Sequence, residues 1–423
     1  GLGDVYKRQV LNRYYTREFF REAAALLNPD GVFVIGTTST PDLKGIAIAN
    51  RNATIYHTLK GVFSRVFVVG EQFMFYFATN DPKQVSVDAA TLQERYRERH
   101  IRSEGFSEYH FRTLLLPVQI EKVNWIVRNH GRSPGAHLEG PPVAPLSPGT
   151  MEEQERTEKD LPPVEQQYFI NSDLKPIGYY YTVMFWDSQV RTGHPEVFRW
   201  LLHVEHRWFL PFVFLPLLIV LGLRIAGHRV GGRPDTNFAV LFAVFTTGLS
   251  IMALQVALLF SFQGIYGFVY EMVGLIVAIF MGGLAVGTLT THRYVADKAN
   301  LNILAGVQLL IALVACLIAV ALPAAADVSS PSLVFLLFSV LTFVAGFING
   351  VDFPLSTACC MVLGRRAETS AGTVYGIELF GACIGAVMAS ALVAPVLGIT
   401  VCCFLAGVAN GTAFAVILIC RRS

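Results

Sequence analysis

The first 315 residues of this chain contain no cysteine, and the seven cysteines, of which Cys316 is the first, include no CxxC pair. This spacing excludes a disulfide framework before Cys316 and offers no zinc or redox motif after it. Cysteine packs between helices as a small apolar residue, so we expect a packing role there and no metal site. The net charge of only +2 gives no reason to expect a nucleic-acid partner.

Charge is also scarce, since 15% of the residues are charged and 53% are hydrophobic, and most charges precede residue 207. The remainder, 207–423, consists of apolar stretches that approach the roughly 20 residues needed to cross a bilayer. Only helices satisfy their own backbone hydrogen bonds in lipid, so we predict an all-α polytopic transmembrane bundle of about seven helices. The stretches are 208–226, 238–261, 265–289, 302–323, 332–351, 371–394 and 399–420.

Glycine pairs four residues apart recur in this half, a spacing that lets helix backbones approach closely. We therefore expect a tightly packed bundle. The pairs are Gly283/Gly287, Gly346/Gly350, Gly372/Gly376, Gly381/Gly385 and Gly407/Gly411.

Lysine and arginine follow the first, third, fifth and seventh stretches and are absent from the other loops. The positive-inside rule places those loops in the cytoplasm. If 208–226 spans fully, the preceding domain lies outside. If this stretch, which contains Pro211 and Pro216, dips in and returns, the domain lies inside. We expect an integral protein of a bacterial inner membrane whose N-terminal domain is cytoplasmic.

Two segments before residue 207 lack the pattern of a folded element. Residues 1–9, GLGDVYKRQ, have no helical or strand period and match, codon by codon, a translated transposon adapter from sequencing libraries. We expect them to be an artefact and the gene to be cut at Val10. Residues 131–166 carry seven prolines and the charged run EEQERTEKD, which predicts a disordered linker or insertion.

Residues 10–130 alternate between helix and strand signals. Apolar spacing predicts a helix over 16–28 with Thr16 as its N-cap, a buried strand in GVFVIGT, and a helix over 46–63. Two further strands, 65–70 and 72–79, are joined by Gly70-Glu71, which favours an antiparallel hairpin. This order is typical of the last third of a methyltransferase-type Rossmann sheet, so we predict an α/β domain.

Two stretches carry a resemblance to a known family. NRYYTREFFREAAALLNPDGVFVI resembles a segment of spermidine and spermine synthases, and INSDLKPIGYYY resembles the "NTD-RP" signature of membrane-fused relatives. The resemblance covers about residues 10–128 and 167–186. It implies a C-terminal fragment of a membrane-fused spermidine synthase-like aminopropyltransferase, with 10–130 and 167–206 forming the end of the domain and an interfacial helix. The membrane part would be a major facilitator-like unit.

The resemblance also implies what this fragment lacks. These synthases hold decarboxylated S-adenosylmethionine in a glycine-rich turn, and an aspartate near the fourth strand activates the polyamine substrate. All such residues would precede Val10, and the chain contains no GxGxxG. We therefore expect the catalytic residues upstream of Val10, no cofactor in this fragment, and no activity from it alone.

Four residues remain candidates for substrate binding. Tyr14 and Tyr15 would follow the missing catalytic loop, and Asn171 and Asp173 occupy the "NTD" positions. Alternatively, one tyrosine is core and the other covers it, and the Asn-Asp pair is an Asx turn that stops a strand.

Polar side chains within the apolar stretches are costly and often functional. Gln255, Glu271, Asp352 and Glu378 are the candidates for a cation or proton pathway. Alternatively, Glu271 and Asp352 lie at interfaces and Glu378 is hydrogen-bonded in the bundle. Two other functions stay open beside aminopropyl transfer. The bundle could be a transporter for polyamines or other small cations, with an attached α/β module. The sheet could instead belong to a membrane-associated AdoMet-dependent methyltransferase. The sequence does not indicate an oligomeric state.

Overall fold

The chain forms two compact units, Gly1–Pro195 and Glu196–Ser423, so the division falls a little before residue 207. The computed structural model describes residues 12–40, 45–81, 85–131, 169–190, 200–230, 236–267, 270–294, 298–326, 328, 330–362 and 367–421. The expected artefact 1–9 lies outside the described residues, and so does the expected linker 131–166 apart from Gly131.

The first unit is a small sheet packed against helices. A 3₁₀ turn, Asn12–Tyr15, precedes the first helix, whose N-cap Thr16 accepts a hydrogen bond from the backbone N–H of Phe19 as predicted. Five elements then follow in the predicted order of helix, strand, helix, strand and strand. They are α1 Arg17–Leu26, β1 Phe33–Thr38, α2 Ile46–Lys60, β2 Arg65–Val69 and β3 Phe73–Thr79. Four helices that were not predicted come after them, α3 Ala89–Glu98, α4 His110–Leu114, α5 Pro117–Asn129 and α6 Ile177–Val190.

The sheet has the order β1-β3-β2. The predicted hairpin of β2 and β3 is confirmed as antiparallel, with Phe67 opposite Phe77, and β3 also pairs antiparallel with β1. Since β3 opposes both neighbours, β1 and β2 run parallel to each other and α2 forms the connection between them.

One face of this sheet is buried, and the other is open over β1 and the first half of β3 in the described part of the chain. Met74 and Tyr76 of β3 are fully buried in a core with Phe20 of α1 and Leu59 of α2. On the opposite face Val34, Phe73 and Phe75 are 48%, 63% and 47% exposed, whereas Phe67 of β2 is buried and stacks on Phe77. The prediction of a buried strand in GVFVIGT is wrong, because the residues of β1 alternate between half-buried and exposed.

The second unit confirms a polytopic helical bundle. It begins with a helix at Leu210–Val230 that contains Pro216. Six further helices in the described residues are long and apolar enough to cross a membrane. We label these helices α7 Leu210–Val230, α8 Thr236–Ile265, α9 Tyr270–Tyr294, α10 Leu301–Ala326, α11 Pro331–Val362, α12 Ala367–Met388 (continued by a π-helical segment, Ala389–Leu397) and α13 Ile399–Arg421.

The six helices α8–α13 form two halves related by a constant shift of 98 positions. Shifting α8, α9 and α10 by 98 places them on α11, on α12 with its π segment, and on α13. The packing obeys the same exchange, since α8 packs on α12, α9 packs on α11, and α10 packs on α13. Each half has three helices joined by short loops, so if every helix crosses the membrane the second half enters it from the opposite side. Such an arrangement is an inverted-topology repeat.

Glycines mark the equivalent contacts. A Cβ on Gly283 would meet the backbone of Phe343, and a Cβ on Gly381, 98 positions later, would meet that of Phe245, which lies 98 positions before Phe343. The predicted close packing therefore holds for the pairs Gly283/Gly287, Gly346/Gly350 and Gly381/Gly385. It does not hold for Gly372/Gly376, where an added Cβ would meet open space.

Candidate functional site

The two stretches that resemble the synthases meet in the first unit at Asn171, whose side chain is 1% exposed. Its Nδ2 donates to the Asn12 side chain at 3.1 Å and to the Tyr15 carbonyl at 3.0 Å. Its Oδ1 accepts from the Gly178 N–H at 3.0 Å, and its backbone N–H donates to Thr58 of α2 at 3.0 Å. Asn171 therefore ties the start of α6 to the 3₁₀ turn and to α2.

Asp173 lies beside the start of α1. Its backbone N–H donates to Glu18 at 3.1 Å, while its Oδ1 has no hydrogen-bond partner among the described residues. Burial raises the pKa of the Asp173 carboxyl to about 7, partly opposed by the Thr16 hydroxyl. A carboxyl of this kind can hold or release a proton near neutral pH.

The two tyrosines have different environments. Tyr15 packs against the core, its hydroxyl donates to the carbonyl of Gly36 on β1 at 2.8 Å, and burial raises its pKa. Tyr14 is 46% exposed and touches Phe19 edge to face. This placement agrees with the alternative to substrate binding, in which one tyrosine, Tyr15, packs against the core and the other, Tyr14, covers it.

These contacts gather Tyr15, Asn171 and Asp173 around the junction of the 3₁₀ turn, α1 and the start of α6, with Tyr14 at its exposed border. Substrate contact by any of them stays a prediction. The chemistry available here is acidic and hydrogen-bonding, which suits a cationic amine. Within the described residues no group of three histidine, cysteine or acidic side chains could hold a metal ion.

A second polar cluster lies inside the bundle around Asp352 of α11, which is 1% exposed. Gln308 of α10 donates through Nε2 to Asp352 Oδ1 at 3.3 Å and to the Thr247 hydroxyl of α8 at 2.7 Å. Ser356, one turn along α11, donates to Asp352 Oδ2 at 3.5 Å. Three polar side chains, Thr247, Gln308 and Ser356, are thus gathered around the Asp352 carboxyl, and the four residues come from three helices.

Of the four intramembrane residues singled out from the sequence, the structure brings two together. Glu378 of α12 lies against α8 next to Thr247, because a Cβ added to Gly248 would overlap the backbone oxygen of Glu378. Gln255 of α8 is half-buried, and its Oε1 has no hydrogen-bond partner in the described part of the chain. The side chain of Glu271 lies outside the described residues.

Sequence reasoning missed Gln308 and Thr247, whose side chains are fully buried in this cluster. A signal existed for Gln308, because it is the only glutamine, and the only residue with a side-chain amide apart from Asn302, in the apolar stretch 302–323. Comparison of the chain with protein-family models, curated sequences and solved structures gave no match.

Proposed function

We propose that the first unit is the C-terminal part of a methyltransferase-type Rossmann domain, in a membrane-fused aminopropyltransferase similar to spermidine synthases. The observation that carries the proposal is the sheet, in which two parallel strands are joined by α2 and the last strand runs antiparallel to both. A helical connection between parallel strands is the unit from which doubly wound sheets are built.

Two open surfaces of the sheet support the same proposal. In the described residues β1 pairs with β3 alone, so its other edge carries unpaired backbone groups. The part of the face that bears Val34, Phe73 and Phe75 is also exposed. A doubly wound sheet would place further strands on that edge and helices on that face.

The reaction would be attack of a polyamine nitrogen on the propyl carbon of decarboxylated S-adenosylmethionine. The N–C bond forms as the C–S bond of the sulfonium breaks, methylthioadenosine leaves, and the amine gives up a proton. The residues that bind the cosubstrate and take this proton are expected upstream of Val10. Near the junction, Asp173 and Glu18 would attract the cationic end of the amine.

The test is to read the gene upstream of codon 10 and express the extended protein beside the present chain. We expect spermidine or a related polyamine to form from decarboxylated S-adenosylmethionine and putrescine with the extended protein alone. Methyl transfer from S-adenosylmethionine without aminopropyl transfer would contradict the proposal, and so would an upstream sequence with no acidic residues after the fourth strand.

A second candidate function, transport, is favoured by the inverted repeat of α8–α13. Inverted-topology repeats underlie alternating access in many secondary transporters, where substrates bind between the repeats near the bilayer midplane. This bundle would resemble half of a major facilitator-type unit. Uptake of putrescine or spermidine into proteoliposomes tests it, and uptake unchanged by Glu378→Gln would count against Glu378 as the cation site.

The proposed location is the bacterial inner membrane, with the first unit in the cytoplasm where nucleotide cosubstrates occur. A cysteine at exposed Glu98 of α3 reports the side of the membrane through a membrane-impermeant maleimide. Labelling should require permeabilised cells. Labelling of intact spheroplasts would place the unit outside and contradict a cytoplasmic enzyme.

A further inference from the structure

We propose that the cluster around Asp352, formed by Thr247, Gln308, Asp352, Ser356 and Glu378, is a proton-binding site inside the membrane bundle. The inference concerns the second unit alone and does not depend on aminopropyl transfer by the first. It rests on the convergence of polar side chains from four helices. It also rests on the buried Oε1 of Gln308, which has no hydrogen-bond partner among the described residues.

Charge balance is the first argument. In the described helices α8–α13 the basic residues are His292 and Arg293 at the end of α9 and Arg421 at the end of α13. His292 and Arg293 are exposed, and the Arg293 guanidinium lies over the exposed Tyr294 ring at 5.7 Å, so neither of these two side chains is buried beside Asp352. Two ionised carboxylates within hydrocarbon and without a cation would each carry a large solvation cost. A proton bound to one of the carboxylates removes the solvation cost of that group.

Four helices pack against α11, namely α8, α9, α10 and α12. Helix α8 supplies Thr247, α10 supplies Gln308, and α12 supplies Glu378. The described titratable and basic side chains of α9, His292, Arg293 and Tyr294, are exposed at its C-terminal end. On α11 itself the titratable neighbour is the buried thiol of Cys359, two turns further along the helix. Among the groups near Asp352 only Glu378 carries charge, and its charge is of the same sign as that of Asp352.

The partners of Asp352 suit both of its protonation states. Gln308 donates through Nε2 in the present arrangement, and its Oε1, on a side chain that is 0% exposed, has no partner among the described residues. Rotation of the amide would turn Oε1 toward Asp352 as an acceptor for a carboxylic O–H. The hydroxyl groups of Thr247 and Ser356 can likewise donate or accept by rotating. Protonation then needs no movement of the helices.

The repeat supplies an internal comparison. The positions 98 residues away from the five cluster residues have the same places in the other half of the bundle, and all five are buried and apolar. The equivalents of Asp352 and Glu378 are Leu254 and Phe280. The packing of the repeat is therefore satisfied by apolar side chains, so the polar cluster is not a requirement of the architecture. The other three equivalents are Ala345 for Thr247, Ala406 for Gln308 and Leu258 for Ser356.

A proton fits this site better than a metal cation. Asp352 already receives hydrogen bonds from the amide of Gln308 and from the hydroxyls of Thr247 and Ser356. A sodium ion would have to displace these donors and substitute oxygen ligands, whereas a proton requires only that they rotate.

Infrared difference spectroscopy of the full chain in lipid nanodiscs tests the proposal. Spectra are taken in an Asp173→Asn background, because the Asp173 carboxyl would contribute its own signal. As the pH rises, we expect loss of a carboxylic C=O band that shifts in D₂O. Asp352→Asn should remove the share of this band that belongs to Asp352 and leave at most that of Glu378, and Gln308→Ala should move its midpoint. The control Glu368→Gln, at an exposed residue of α12, should leave it unchanged.

Three results would overturn the proposal. The first is absence of a titrating band from the parent protein, and the second is its persistence at full amplitude in Asp352→Asn. The third is loss of the band when sodium takes the place of a large organic cation at constant ionic strength. This loss would assign the site to a metal cation. Asp352→Leu guards against misfolding, because the repeat places a buried leucine at the equivalent position. We expect this variant to fold and to lack the share of the band that belongs to Asp352.

Discussion

The close contact between α9 and α11 leads to a prediction that separates packing from helix propensity. Gly287 lies where an added Cβ would overlap the backbone oxygen of Phe347 and would stand 3.2 Å from the carbonyl carbon of Gly350. Neither atom can yield by a side-chain rotation. The variant Gly287→Ala must therefore force the two helices apart along their shared contact.

The magnitude follows from two opposing effects. Alanine favours a helix over glycine by up to about 1 kcal/mol. Overpacking of a well-packed contact costs about 1–3 kcal/mol, and a clash with backbone belongs at the upper end of that range. We expect Gly287→Ala to lower the free energy of unfolding by about 1–2 kcal/mol.

Gly282, five positions earlier on α9, is the matched control because it is exposed and an added Cβ there would meet nothing within 4 Å. Gly282→Ala should leave stability unchanged or raise it by up to about 1 kcal/mol. The two variants then differ by about 1–3 kcal/mol, roughly 5- to 150-fold in the unfolding equilibrium constant. Reversible unfolding in bicelles, followed by steric trapping, measures this difference.

The repeat provides an independent second measurement. Gly385 is the equivalent of Gly287 and would clash with the backbone oxygen of Leu249, while Gly376 meets open space. The pair Gly385→Ala and Gly376→Ala should reproduce the same difference. Equal stabilities within either pair would refute the close backbone contact in that half of the bundle.

Three further predictions concern the first unit, and each is measured by hydrogen exchange of the core amides of α2 and β3 in the full chain. Asn171→Ala removes three side-chain hydrogen bonds in a buried position, so we expect a loss of about 3–4 kcal/mol; a loss below about 1 kcal/mol would contradict the junction. Burial raises the pKa of Asp173 from 3.8 to about 7, so the folded chain keeps a proton that the unfolded chain loses, and stability falls as pH rises between these values. Asp173→Asn should abolish this fall, at most about 4 kcal/mol, and an unchanged slope would refute it. Burial lowers the pKa of His130 from 6.5 to about 4, so the unfolded chain binds the extra proton and stability rises with pH over that window. His130→Gln should abolish this rise, which is at most about 3 kcal/mol. Because the slopes from Asp173 and His130 are opposite, the stability of the parent protein should change little between pH 4 and 6.5.

Local patterns were sufficient to predict α1 to β3 of the first unit, but the helices α3 to α6 were not predicted. The apolar spacing of 16–28 and the Gly70-Glu71 turn act over a few residues, so α1 and the β2–β3 hairpin were predicted from sequence. The exposure of Val34 and Phe75 could not be predicted in this way. A β-branched apolar run looks the same whether one or both faces of its strand are covered, and the covering layer lies elsewhere in the chain.

The membrane bundle shows the same division. Hydropathy predicts the helices, but it does not show which polar residues meet. Thr247, Gln308 and Asp352 lie on three different helices, and their contact depends on how α8, α10 and α11 pack. The 98-residue repeat also escaped the sequence because little identity survives beyond the glycines, of which Gly283 and Gly381 are the clearest pair.

Hydrogen-bond satisfaction separates two buried amide side chains, Asn171 and Gln308. Both amide hydrogens and the oxygen of Asn171 are engaged within the protein, which is what a purely structural polar residue requires. Gln308 is buried as deeply but keeps an unsatisfied Oε1, and Asp352 beside it lacks a compensating cation in the described helices. Evolution can remove such a cost by apolar substitution, and the other half of the repeat, with Leu254 in the equivalent place, shows that this packing is attainable. The energetic cost of a buried carboxyl group is present in one half of the repeat and absent from the other. This difference favours a role for Asp352 other than packing.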